Sequence, residues 1–292
     1  PPLPEQRAIA AVLGALDDEI QAKRGESKGM RRILKHLINR LVSGAWSVEE
    51  GKAWLATARR LIEPLDDKIE LNRRMNRTLE AIAQAVFRHW FVENEEAEGW
   101  EVGQVRDLGK VITGKTPPTA DEDNYNGSIP FITIPDMHRK IFVIETGKTL
   151  SEKGAQIQSN KTLPPFSICV SCIATPGLVS ITTVPSQTNQ QINSLIPKDK
   201  ESTFYCYFAL RELTDEIRAQ GGGGSVVLNL NKGQFEALPV LIPPVEIVHK
   251  FQRIVEPLLM KLLANEQQSR TLAALRDALL PRLMRGEVRV HP

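Results

Sequence analysis

Cysteine is scarce in this sequence, with three residues in 292. Three thiols make no disulfide framework for a chain this long, and such usage fits a reducing cytoplasm. Aromatic residues are also few, at 5%. No run of eighteen apolar residues occurs, which excludes a helical membrane span. The chain opens on Pro1 with no charged-then-apolar leader, so no secretory signal is expected. An excess of one charge is missing too. Lys+Arg 37 against Asp+Glu 35 leaves +2, so affinity for nucleic acid has to come from local patches. The remainder, 41% hydrophobic and 25% charged, is a globular composition, and the length suggests about two domains.

The chain contains a repeat. Residues 65–91, LDDKIELNRRMNRTLEAIAQAVFRHWF, align with 258–284, LLMKLLANEQQSRTLAALRDALLPRLM, at a constant offset of 193. Identical pairs include Leu65/Leu258, Asn72/Asn265, Arg77/Arg270, Thr78/Thr271 and Leu79/Leu272. Upstream, PPLPEQRAIAAVLGAL at 1–16 aligns with 243–258 at offset 242, so the first copy carries 49 extra residues near 19–67. Both copies predict long helices. In the second, Val248, Phe251, Val255, Leu258, Leu262, Asn265, Ser269 and Leu272 step by 3 and 4; in the first, Met75, Leu79, Ile82 and Val86 do the same. Such a stripe is either a coiled-coil seam or an ordinary bundle core. Asn72 and Asn265 lie on it, where a buried amide costs stability but fixes register. Pro257 and Pro281 are expected to interrupt and kink the second helix. Residues 244–285, if continuous, would span about 60 Å, a rod rather than a globule.

The extra residues carry their own pattern. Ile33, Leu34, Leu37, Ile38 and Leu41 form one amphipathic stripe, and Trp54, Leu55, Ala58, Leu61 and Ile62 another, with Gly44 between them. This spacing predicts a helical hairpin. Residues 21–42 hold seven basic residues against Glu26 alone, which is either a solvated face or a phosphate contact.

Residues 99–242 lose the helical period. Strands are expected at 129–134, 140–144, 166–173, 178–184 and 192–196, between Pro, Gly and Asn clusters. A helix at about 203–219 should end at Gly221–Gly224, and a short one should follow Asn231. GGGGS at 221–225, between a helix and VVLNL, reads as a mobile native loop. The expected fold is α+β: a globular domain at 98–242, flanked by long helices at 1–97 and 243–292.

Several enzyme-like motifs fail on their surroundings. Gly109 through Thr116 matches the phosphate-cradling G-x-x-x-x-G-K-T, but Pro117 and Pro118 disfavour the helix whose N–H groups would face a phosphate. Cys169-x-x-Cys172 resembles half a zinc knuckle; on a strand these residues point to opposite faces, so core thiols are expected. Asp136 with Glu145 and Lys148 is a poor metal-nuclease cluster, its lysine displaced by two residues. Leu163-Pro164-Pro165-Phe166 lacks the Asn or Asp that would hold an amino group for methyl transfer. No catalytic residue, metal ligand or cofactor is assigned.

What remains is polar surface. Lys115, Thr116, Asn124, Tyr125, Asn126, His138, Arg139 and Lys140 fall in 113–140, and Gln187, Thr188, Asn189, Gln190, Gln191 and Asn193 follow. Amides read adenine edges, Arg and Lys read guanine, and hydroxyls and lysines grip phosphate. The same residue types also cap strands and satisfy backbone groups in turns.

In order, PPLPEQRAIAAVLGALDD, KIELNRRMNRTLEAIAQAVFRHWFV, GWEVGQVRDLGKVITGKTPPT, IPFITIPDM, LSEKGAQI, SQTNQQI, LNLNKGQFEALPVLIPP and LLPRLMRGEV resemble the specificity subunit of type I restriction–modification enzymes. The resemblance covers nearly everything except about 19–67. It implies target recognition domains that each read half of a bipartite double-stranded DNA site, joined by long helices that form an antiparallel coiled coil and bind methyltransferase subunits. It further implies a non-catalytic, cytoplasmic chain, with methylation and cleavage in the methyltransferase and restriction subunits. The readers carried over by motif are Lys115, Thr116, Tyr125, Asn126, Arg139, Lys140, Gln190, Asn231 and Lys232. Only one recognition domain is present, so either a second lies upstream or the chain is a half-subunit that dimerises through its helices. Two rivals remain: a nuclease or NTPase fragment, and a coiled-coil scaffold without DNA contact.

Overall fold

A computed structural model describes residues 28–173, 175–215, 217 and 230–288. The expected helix at 1–16 and the Gly221–Gly224 loop lie outside them. The described residues fall into two units. One runs up to Thr78 and resumes at Leu262; the other is Leu79–Lys261.

The first unit is helical. Helix α1 (Lys28–Val42) and helix α2 (Val48–Phe91) are joined by a turn in which Gly44 takes φ +70°, a conformation that strains any residue with a Cβ. A capping box starts α2: Ser47 Oγ accepts from the Glu50 N–H at 3.3 Å, and Glu50 Oε2 accepts from the Ser47 N–H at 2.8 Å. Ile33, Leu34, Leu37 and Leu41 bury one face of α1 against Ala58 and Ile62 of α2. Helix α8 (Val245–Met284) adds Leu280 and Leu283 to that core. The Trp54 indole N–H donates to the Leu283 carbonyl at 3.1 Å.

Within this unit α2 and α8 run antiparallel, and the repeat explains how they fasten. Asn72 Nδ2 donates to the carbonyl of Asn265, its equivalent in the other copy, and to Ser269 Oγ at 3.1 Å. Asn265 Nδ2 in turn donates to Asn76 Oδ1 at 2.9 Å. Asn76 is the repeat equivalent of Ser269, so the two side-chain bonds exchange under a local two-fold. Both seam asparagines are buried. Nearer the end of α8, Arg276 Nη1 meets Asp66 Oδ1 at 2.8 Å, a pair with both side chains at most a tenth exposed.

Two expectations need correcting. Helix α8 is unbroken through Pro257 and Pro281, as α2 is through Pro64, the equivalent of Pro257. A proline costs a hydrogen bond there without ending a helix whose faces are already packed. The seams also differ in detail: Leu259 rather than Leu258 is fully buried, and Ala83 and Phe87 replace Ile82 and Val86, with Ile82 45% exposed.

His36 stands beside Trp46 and Trp54, at ring-centroid distances of 5.5 and 5.3 Å. Its Nε2 is buried without a partner. Burial, with Arg40 adding to it, pushes the imidazole below its ordinary value. The folded chain therefore resists a proton that the unfolded chain accepts, and stability should fall as pH drops through about 6.5. Thermal midpoints of the wild type and His36→Phe from pH 8 to pH 5 test this; the variant should lose that part of the pH dependence.

The second unit is the α+β domain. In chain order it contains β1 (Glu101–Gln104), α3 (Val105–Leu108), β2 (Gly109–Thr113), β3 (Tyr125–Ile132), α4 (Ile134–Met137), β4 (Phe142–Val143), β5 (Lys148–Leu150), α5 (Glu152–Gln156), β6 (Ile168–Ser171), β7 (Val179–Thr182), β8 (Gln187–Thr188), β9 (Ile192–Pro197), α6 (Thr203–Glu212), α7 (Lys232–Glu236) and β10 (Pro239–Ile242). Its sheets are ordered β2-β9-β6-β7-β4, β5-β3-β8 and β1-β10. Ile112, Ile132, Met137, Val143, Leu163, Cys169 and Ile192 form one core. Helix α6 is buried from Thr203 to Leu210, the pattern of a helix covered on every side. One side meets β6 and β7; the other meets an aromatic cluster in which Phe87 and Phe251 each contact Phe91 and Phe208, and one another, at centroid distances of 6.1 Å or less.

Candidate nucleic-acid interface

The end of the antiparallel β2–β9 pair gathers several of the residues selected from sequence. Beyond β2 the Gly114 N–H donates to the Ile192 carbonyl at 3.1 Å, and the Lys115 N–H to the Thr188 carbonyl at 3.0 Å. A Cβ on Gly114 would stand 2.2 Å from the Asn189 carbonyl oxygen and 2.3 Å from that of Thr188, so only glycine lets the two segments approach this closely. Lys115 and Gln190 are exposed above that junction. Thr116 Oγ1 donates to Gln190 Oε1 at 2.6 Å, which ties the amide of this exposed residue to Thr116. Beneath them Asn189 Oδ1 accepts from the Gln191 N–H at 3.1 Å, holding the turn.

Tyr125 and Asn126 join this group through the backbone between them. The Tyr125 hydroxyl donates to the Pro117 carbonyl at 2.8 Å, and Asn124 Nδ2 to the Pro118 carbonyl at 3.0 Å. Burial raises the Tyr125 phenol above its ordinary value, so it stays a neutral donor. Strand β3 shifts register against β5 between Tyr125 and Ile129, and Asn126 takes φ +62° there. Bulges of this kind re-aim side chains. Tyr125, Asn126, Thr119 and Lys148 line a cleft of about 390 Å³.

Arg139 and Lys140 line a different cleft of about 430 Å³, with Glu80, Tyr207 and Arg211. Arg139 sits at φ +56° just beyond His138, which caps α4, a conformation uncommon for a residue with a long side chain. Asn231 and Lys232 take local roles. Asn231 Oδ1 accepts from the Gln234 N–H at 3.0 Å in a capping box, and Lys232 pairs with Glu236 at 3.2 Å.

Other polar residues of the same segments are structural. The Gln187 amide is fully buried, donating to the Ala155 carbonyl and Thr162 Oγ1 and accepting from Gln158 Nε2. Asn193 is buried between Thr113 Oγ1 and the Leu230 carbonyl, and Asn124 is buried as well. These amides cannot reach a groove.

The enzyme-like motifs resolve in the same way. After Gly114 the chain runs irregularly through Pro117 and Pro118, and no helix N-terminus faces the glycine-lysine-threonine stretch among the described residues. Asp136 uses both carboxylate oxygens on Thr133 and on the Gly147 N–H. Burial lifts the thiols of Cys169 and Cys172 to about 12 and about 11, so both are neutral core groups. Among the described residues no three His, Cys, Asp or Glu side chains converge as a metal site, and no helix is long and apolar enough to cross a membrane.

Residues 97–272 match a family described as the type I restriction modification DNA specificity domain. The chain is 37% identical over 301 residues to the type I restriction enzyme HindI specificity subunit of Haemophilus influenzae, covering 78% of this chain and 66% of that protein. It is 28% identical over 250 residues to the MjaIX specificity subunit of Methanocaldococcus jannaschii, covering 77% and 56%. The chain thus spans somewhat over half the length of these relatives. The crystal structure of a type I restriction–modification S subunit from M. genitalium superposes with a TM-score of 0.53 at 19% identity, over 81% of this chain and 61% of that one, a likeness of fold.

Proposed function

Because this chain belongs to the type I restriction–modification DNA specificity family, we propose that its α+β domain reads one half of a bipartite duplex site. Its helical segments, 1–97 and 243–292, serve as a spacer that docks methyltransferase subunits, with a restriction subunit joining the larger complex. The other half of the site belongs to a second recognition domain, in the same polypeptide or in a second copy of this chain paired through the helices. Methylation and cleavage fall to the partner chains, and this chain binds without catalysing.

The observation that carries this reading is the exposed Lys115–Thr116–Gln190 group on a backbone locked by Gly114. A cation, a hydroxyl and a pinned amide held on a sheet are the parts for gripping a phosphate and testing a base edge. Tyr125, Asn126, Arg139 and Lys140 extend the interface, and Asn231 and Lys232 border it. A domain specifying three or four base pairs binds weakly alone, since each pair contributes about 1–3 kcal/mol of discrimination. Coupling two such domains supplies avidity without adding to either interface.

Selection from a randomised duplex pool tests the reading. The wild-type chain should enrich one short sequence. Gln190→Ala should relax preference at one position by about 1–3 kcal/mol, whereas Lys115→Ala should weaken all sequences alike and lower the salt slope by about one. No enriched sequence for the wild type would count against the proposal.

A further inference from the structure

We propose that the hairpin built from α1 and the start of α2, present in one copy of the repeat only, is a second, sequence-independent contact to the phosphates of duplex DNA; this rests on the reading that the chain binds DNA. Helix α1 is KGMRRILKHLINRLV, which carries Lys28, Arg31, Arg32, Lys35 and Arg40 and no carboxylate. The side chains of Arg31, Arg32, Lys35 and Arg40 are exposed. Their compensation is slight. Arg32 lies 3.5 Å from Asp277 with both groups half exposed, an arrangement worth little in water. Arg40 lies over the Trp46 ring at 5.5 Å. Neither Arg31 nor Lys35 pairs with a carboxylate among the described residues.

Solvated helix faces ordinarily interleave signs three and four residues apart, which stabilises the helix. Here Arg32 and Lys35, and Arg31 and Lys35, put like charges at those spacings, which costs the free protein stability. A polyanion that takes up the positive field offsets the cost, and the linear charge of duplex DNA supplies one. A membrane surface fits less well. Binding there requires a free apolar face on the helix, and Ile33, Leu34, Leu37 and Leu41 already commit that face to the protein core. The same core holds the cations on a rigid support.

The test uses the full chain and a random-sequence duplex of 40 base pairs. Titrations over a range of salt compare the wild type with the triple variant Arg31→Gln, Lys35→Gln, Arg40→Gln. Every phosphate no longer neutralised lowers the slope of log K against log salt by about 0.9, so the triple variant should fall by roughly 2–3 and bind at least tenfold more weakly at low salt. The charge-preserving variant Arg31→Lys, Lys35→Arg, Arg40→Lys should keep the wild-type slope, which separates charge from folding. Enrichment from a randomised pool should still return the wild-type sequence for both variants. An unchanged slope in the triple variant, with enrichment intact, overturns the hairpin contact and leaves the recognition domain standing. A reduced slope in both variants overturns it as well, since charge would then not be the cause. Failure of the wild type to enrich any sequence sinks the recognition reading instead.

Discussion

Replacing Arg276 with methionine is expected to destabilise the first unit by about 3–5 kcal/mol. The guanidinium meets Asp66 at 2.8 Å, and neither side chain is more than a tenth exposed. Methionine roughly preserves volume, so the loss comes from leaving the Asp66 carboxylate out of water without its cation. Gly29 sharpens the case: a Cβ there would stand 2.7 Å from Asp66 Oδ2 and 2.8 Å from Arg276 Cδ, so the pair has no room to rearrange. The double replacement Asp66→Leu, Arg276→Met should recover most of the loss, because two apolar groups leave no buried charge behind, and Asp277, the other partner of Arg276, is half exposed. Urea unfolding followed through Trp46 and Trp54, both in this unit, measures each variant. A single variant within 1 kcal/mol of wild type would show that water reaches the carboxylate once the guanidinium is gone.

The second large effect lies in the other unit. Phe251→Ala should cost about 3–5 kcal/mol, the range for deleting a fully enclosed phenyl ring. Phe251 is 0% exposed and touches Phe87, Trp90, Phe91 and Phe208 at centroid distances of 5.8, 6.3, 5.1 and 6.1 Å. Edge-to-face geometry with Phe87, Phe91 and Phe208 adds to the effect of the buried area. The ring sits on the inner side of α6, whose other side supports β6 and β7, so loosening it should also slacken the sheet. Hydrogen exchange reports this directly: amides of α6 should lose protection along with those of α8 near Phe251. Loss confined to α8 would mean that the cluster does not carry the domain.

The long helices were legible because their apolar period extends over tens of residues and repeats. The choice between adjacent stripes was not. Ile82–Val86 and Ala83–Phe87 both satisfy an i, i+4 pattern, and the decision rests with α6, whose aromatic face receives Phe87 from more than a hundred residues away. Strands β1 and β10 escaped for a related reason: they pair across the whole domain, Glu101 opposite Ile242, and no short-range signal announces such a partner. Which residue types could serve a candidate interface was legible in the sequence, but which of them lie at the surface was not. Gln187 and Gln190 are the same residue three places apart, yet one is locked among backbone carbonyls and the other is exposed. An amide suits a buried bond as well as a base edge, and only the fold separates the two uses.

The asparagine fastening has a consequence of its own. Exchange the two segments and each seam asparagine still donates to the side chain one turn along its partner, Ser269 Oγ in one sense and Asn76 Oδ1 in the other, but only Asn72 also reaches a Gln268 Oε1, where the other copy has Met75. Handedness of assignment comes from that one-sided bond, from the Asp66–Arg276 pair, and from what interrupts one duplicate and not its twin.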